Sequence, residues 1–124
     1  MNMSANTEQW SESVLLYAAP VIKEAVGNVV TITPAMTHLT QVARPYEGIE
    51  VGQVVVFYVR NYGGSSGSSG DITIVDINSD IQWSMPKTMF RNSRAIDIFF
   101  KVRKDGQPVG DSSEDQYLIE HESK

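Results

Sequence analysis

A serine framed by glycines, Gly63-x-Ser65-x-Gly67, follows an apolar run with the spacing of a nucleophile elbow, the turn that presents a serine hydroxyl to an acyl carbon. That chemistry also needs a helix directly after the serine, and a histidine and an acid to activate the hydroxyl. More serine and glycine follow here, then another strand-like run, so the match is the chance product of a repetitive tract. Asp76-Ile77-Asn78-Ser79-Asp80 opens like a calcium loop, but Ile81 stands where the loop needs glycine and Lys87 where it needs a bidentate glutamate. A polar turn between strands accounts for it better. The two histidines, His38 and His121, fall in a loop and in the C-terminal tail, and there is no cysteine. A zinc site is therefore not expected, and no catalytic residue, metal ligand or cofactor is assigned.

Aromatic side chains are the remaining candidates. Tyr46, Tyr58, Tyr62 and Phe99 can project from a sheet and form a binding surface, either for a protein or, where rings lie coplanar, for a sugar. Fifteen acidic against ten basic residues give a net charge of −5, which argues against a nucleic-acid partner. The basic residues Lys87, Arg91, Arg94, Lys101, Arg103 and Lys104 gather in one stretch, and Asp111, Glu114, Asp115, Glu120 and Glu122 in the next. If these stretches form neighbouring strands, cross-strand charge pairing on a solvated face is the expected outcome.

The elements that must position these groups are short runs rich in β-branched and aromatic residues: Val54–Val59, Ile72–Val75, Ile81–Met85, Ile96–Val102 and Tyr117–Ile119. Their spacing predicts an antiparallel sandwich. Pro20–Ala25 reads as a first edge strand and Val29–Ile32 as the next, with Gly27-Asn28 turning between them. From Ala35 to Pro45 the pattern is weak, so an irregular crossing with a short extended piece over Thr40–Ala43 is expected. The unbroken Val54–Val59 run should be central in its sheet, its core face being Val54, Val56 and Tyr58 or their alternates. Ile72, Ile74, Ile81, Trp83, Ile96, Ile98, Phe100, Tyr117 and Ile119 complete the predicted core. Pro86–Arg91 departs from period two and predicts one helical turn, with Met89 and Phe90 plugging one end of the core. Asp105-Gly106 marks a hairpin. The tract Gly63–Gly70 has the composition of a flexible linker, native or inserted, whose shortening would cost little.

At 124 residues the chain reads as one domain, with residues 1–13 a flexible segment and 14–122 the folded unit. No run approaches the ~18 apolar residues of a membrane span. No signal peptide is visible, which by itself leaves a cytoplasmic location or a signal-independent route of export.

Pro20-Val21-Ile22-Lys23-Glu24-Ala25-Val26-Gly27, Tyr46-Glu47-Gly48, Val51-Gly52-Gln53-Val54, Trp83-Ser84-Met85-Pro86-Lys87, Lys101-Val102-Arg103, and Ser113-Glu114 ahead of Tyr117-Leu118-Ile119 occur in an order and spacing that resembles the Ig-like repeat domains of large surface or secreted repeat proteins of pseudomonad-like bacteria. The resemblance spans about residues 20 to 120. It implies an Ig-like sandwich of about seven strands, a cell-surface or secreted setting, and a non-catalytic adhesion or protein-interaction role working through a strand edge or a loop end. A carbohydrate-binding sandwich using exposed aromatics is the alternative, and a small hydrolase the weaker third. A protein or glycan partner follows from the first two readings. An uncovered sheet edge would also permit a homodimer.

Overall fold

The computed structural model describes residues 15–122. The segment 1–13, Trp10 included, lies outside the described residues. The described residues form an all-β sandwich of eleven strand segments: β1 (Leu15–Tyr17), β2 (Val21–Ile22), β3 (Val29–Ile32), β4 (His38–Ala43), β5 (Val54–Tyr62), β6 (Gly67–Ser68), β7 (Ile72–Thr73), β8 (Ile81–Pro86), β9 (Ala95–Lys104), β10 (Gln107–Ser112) and β11 (Asp115–His121). Among the described residues one 3-10 turn is found, over Lys87–Phe90. Pro86 precedes that turn in extended conformation rather than opening it, and Phe90 closes the core beneath it with no exposure. Among the described residues, no helix is long and apolar enough to cross a membrane.

One sheet is small and antiparallel, in the order β2-β4-β8. In the other, β9 is the spine. It pairs along its length with β5, and on its far side with β10 in its C-terminal half and β11 in its N-terminal half. β6 and β7 edge β5, while β1 lies parallel to β10 and β3 parallel to β11. These two parallel pairings are the departures from a purely antiparallel sandwich. The chain passes from sheet to sheet between β1 and β2, β2 and β3, β3 and β4, β4 and β5, β7 and β8, and β8 and β9. This places β2, β4 and β8 where an Ig-like sandwich has strands A, B and E, and β5, β9 and β10–β11 where it has C, F and G. No strand among the described residues takes the D position, so β8 ends its sheet.

The core follows from register. Phe57 sits opposite Phe100 and Val59 opposite Ile98, so β5 must share the inward face with the apolar set of β9. The inward set of β5 is therefore Val55, Phe57 and Val59, all buried, and Val54, Val56 and Tyr58 lie on the outer face. The predicted faces of β8, β9 and β11 hold: Ile81, Met85, Ile96, Ile98, Phe100, Tyr117 and Ile119 are core, and Trp83 packs partly buried against both core clusters.

Several segments differ from the sequence reading, among them β7, which stops at Thr73 and leaves Val75 exposed instead of continuing the Ile72–Val75 run. β4 is a full strand from His38, not a short piece of an irregular crossing, and it lies between β2 and β8. β2 is shorter than the Pro20–Ala25 strand expected, because the chain turns at Lys23-Glu24, where Glu24 accepts hydrogen bonds from the Thr40 amide and hydroxyl at 2.8 and 2.9 Å. The Ser/Gly tract is not a free linker. β6 pairs with β5, the Ser69 amide donates to Phe57 O, and the Ser69 and Ser66 hydroxyls accept from the amides of Phe57 and Asn61. Serine hydroxyls here complete an edge that the backbone pairs only in part, so shortening the tract would strip the edge of β5.

Candidate functional site

The outer face of the large sheet is laid out in rows fixed by the register of β5, β9 and β11. Tyr58 stands opposite Phe99, Arg60 opposite Asp97, and Tyr62 opposite Ala95; Asp97 in turn opposes Gln116, and Ala95 opposes Leu118. Directly opposed residues share a face, so all of these project outward together.

The Tyr58 and Phe99 rings stack at a centroid distance of 5.0 Å and 11° between planes. The Arg60 guanidinium lies 5.8 Å from the centre of the Phe99 ring, and the Lys101 ammonium 6.0 Å from that of Tyr58. The two rings thus stack on each other while each also engages a cation. Beside them Asp97 accepts hydrogen bonds from Tyr62 Oη at 2.5 Å, Gln116 Nε2 at 2.9 Å and Arg60 Nη1 at 3.3 Å. Arg60 also bridges to Glu114 at 3.1 Å. Partial burial pushes the Asp97 carboxyl up, but the hydrogen bonds from Tyr62, Gln116 and Arg60 and the Arg60 charge outweigh it and hold the group below the ordinary carboxylate range. Tyr62 is correspondingly raised, chiefly by its bond to Asp97. Next in the row, Tyr62 and Leu118 remain substantially exposed. A shallow trough runs between the stacked rings and the Ser66–Ser68 edge.

Of the four aromatics singled out in the sequence, three meet on this face and Tyr46 does not. Its ring packs with Tyr17 and Phe100, at centroid distances of 4.5 and 6.0 Å, in a separate cleft of about 530 Å³. Its hydroxyl donates to Gln53 Oε1 at 2.7 Å. Burial, with the neighbouring Tyr17, raises its pKa to about 12. The aromatic surface expected from the sequence did not include Arg60, Asp97, Lys101 or Gln116, although period two along β9 already sets Asp97 and Lys101 on the side of Phe99. The signal that finds them is alternation: they occupy outward positions on strands whose inward positions are apolar.

The expected charge pairing between the basic stretch and the acidic tail forms at Lys101–Asp111, 3.9 Å apart across β9 and β10. The other basic groups that pair do so with different partners, Arg103 with Asp71 and Lys104 with Glu50. The Asp76 loop is closed on itself: Asp76 accepts from the Asn78 amide and the Ser79 hydroxyl, which hold its carboxyl below the usual range. Gly63–Gly67 leads into β6 rather than into a helix. Among the described residues, no group of three or more histidine and carboxylate side chains converges as a metal site. Comparison with known proteins finds no matching family model, no matching curated protein and no matching solved structure.

Proposed function

We propose that this domain is a non-catalytic protein-interaction module and that the outer face of β5, β9 and β11 is its contact surface. The observation that carries this reading is the rigid Tyr58–Phe99 pair flanked by Arg60 and Lys101, set beside the exposed Tyr62 and Leu118. Tyrosine and arginine dominate the energetics of protein interfaces, and side chains already held in place lose little entropy on binding. The resemblance to Ig-like repeat domains of surface or secreted proteins points the same way and suggests an adhesive setting. A glycan platform is the second reading, since exposed rings adjoin polar groups. Sugar stacking needs rings that lie coplanar with open faces, however, whereas these rings face each other, and that favours a protein partner.

The test places a photo-crosslinking residue at position 118 and compares it with the same chain carrying Arg60→Glu. A specific protein adduct that Arg60→Glu abolishes, with the fold intact by circular dichroism, supports the reading. Binding on a glycan array that Phe99→Ala abolishes, with no such adduct, overturns it.

A further inference from the structure

A second surface lies on the opposite sheet, on the exposed edge of β8. Lys87 N donates to Thr37 O, while Lys23 N donates to Thr40 O on the other side of β4. Backbone groups alternate in direction along a strand, so Leu39, Gln41 and Ala43 bond toward β8 and their partners Met85, Trp83 and Ile81 bond back. The amide and carbonyl groups of Gln82 and Ser84 therefore point away from the sandwich, and no strand among the described residues pairs with them. At six residues β8 is the longest strand at either border of its sheet, the other border being the two-residue β2. It also lacks the usual protection of an edge: neither Gln82 nor Ser84 carries charge, and only Pro86, at its end, withholds a donor.

The charges on either side of this edge choose the occupant. Asp76 and Asp80 precede β8, and Lys87 and Arg91 follow it. Among the described residues none of the four forms an ion pair; Asp76 accepts from Asn78 and Ser79 and Lys87 Nζ donates to Thr33 O and Pro34 O, so Asp80 and Arg91 are the charges left to a partner. Against a second copy running antiparallel, the acidic end of one β8 meets the basic end of the other, whereas a parallel arrangement would set like charges together. Centred on Trp83, the antiparallel register opposes Gln82 to Ser84 of the second copy and Ser84 to its Gln82. It also sets Asp80 against Pro86 of the second copy, where a missing N–H does least harm. A groove of about 430 Å³, lined in part by Ile72, Ile74, Ile81 and the exposed Val75, opens beside the edge.

We infer that β8 is a self-pairing edge, joining two copies of this chain in an antiparallel dimer that continues the small sheet across a two-fold axis. This surface is separate from the outer face of the large sheet, and either can fail without the other.

The test is sedimentation velocity across a concentration series. A concentration-dependent dimer is expected. Ser84→Pro removes an outward N–H without touching the bonds to β4, and should abolish the dimer while preserving the circular dichroism spectrum. Should that variant fail to fold, charge reversals decide: Asp80→Lys and Arg91→Glu should each weaken association roughly tenfold, and the double variant should recover it. A monomer at every concentration overturns the inference, as does a dimer that folded Ser84→Pro and both reversals leave intact.

Discussion

At the scale of single residues, the outer face and the Ser/Gly edge are held by contacts that composition does not reveal. A Cβ built on Gly64 would meet the Met89 carbonyl oxygen at 2.5 Å and the Asn61 side-chain amide at 2.7 Å, both part of the web that fixes this loop. Asn61 Nδ2 donates to Met89 O and Ser65 O at 2.8 and 3.1 Å. Gly64→Ala should therefore destabilise by about 1–3 kcal/mol in chemical denaturation, through loss of those bonds as much as through the clash. Gly67→Ala, whose Cβ would meet only the end of the Met89 side chain at 3.5 Å, should cost much less. Asp97 gives a pH signature. Its folded pKa lies below the ordinary carboxylate value, so the stability it contributes is fully present above about pH 4 and is lost as pH falls through the lowered folded value. Melting curves recorded at neutral pH and near pH 3 should show a drop in the wild type that Asp97→Asn makes shallower. An equal drop in both would remove Asp97 from the acid response.

Elements were legible in the sequence where alternation is clean and hidden where it slips. β5, β8, β9 and β11 stand out because their inward positions are β-branched or aromatic, and the register between β5 and β9 then sets the face that Tyr58, Phe99 and Tyr62 share. β4 was hard to see because Thr40 and Gln41 are both buried, so polar residues take up inward and outward positions alike and no alternation shows. β10 was harder. Its pairing with β9 shifts register between Pro108 and Gly110, and the pairing has slipped again where β11 takes over. Each bulge reverses which residues point inward. Gly110 and Ser112 end up buried in positions where a larger apolar residue would have announced a strand. A Cβ at Gly110 would meet the end of the half-exposed Leu16 side chain at 2.6 Å, so a larger residue there requires Leu16 to move aside. Ser112 repairs the second slip: its hydroxyl accepts from the Phe100 amide at 2.8 Å, a buried bond standing in for a missing ladder carbonyl. Ser112→Ala should cost about 1–3 kcal/mol by denaturant titration, because it leaves that amide buried without an acceptor. Ser113→Ala, at an exposed position, should be nearly silent.

Across the whole molecule the core divides into two clusters. One gathers Leu39, Val59, Met85, Phe90, Ile96 and Ile98 toward the 3-10 turn; the other gathers Ala43, Val55, Phe57, Ile81, Phe100 and Val102 toward the opposite end. On β4, Gln41 falls between Leu39 and Ala43, and on β8 Trp83 falls between Met85 and Ile81, with Gln41 and Trp83 directly paired. The divide is thus the polar Gln41 side chain at the middle of the sandwich, while the Trp83 ring beside it touches both clusters. Gln41 has no exposure, and its Nε2 reaches across to Tyr58 O at 3.4 Å and to Met85 Sδ at 3.9 Å, both long contacts. Its Oε1 has no partner. A buried amide with one weak bond between sheets and an orphaned acceptor costs more in desolvation than it recovers in bonding. Methionine has nearly the volume and flexibility of glutamine without the polar penalty. Gln41→Met should therefore join the two clusters and raise stability by about 1 kcal/mol, measured as a higher denaturant midpoint at an unchanged slope. A lower midpoint would mean that the Gln41 contact to Tyr58 O holds the sheets together more strongly than its length implies, and that the polar divide is a source of stability rather than a cost.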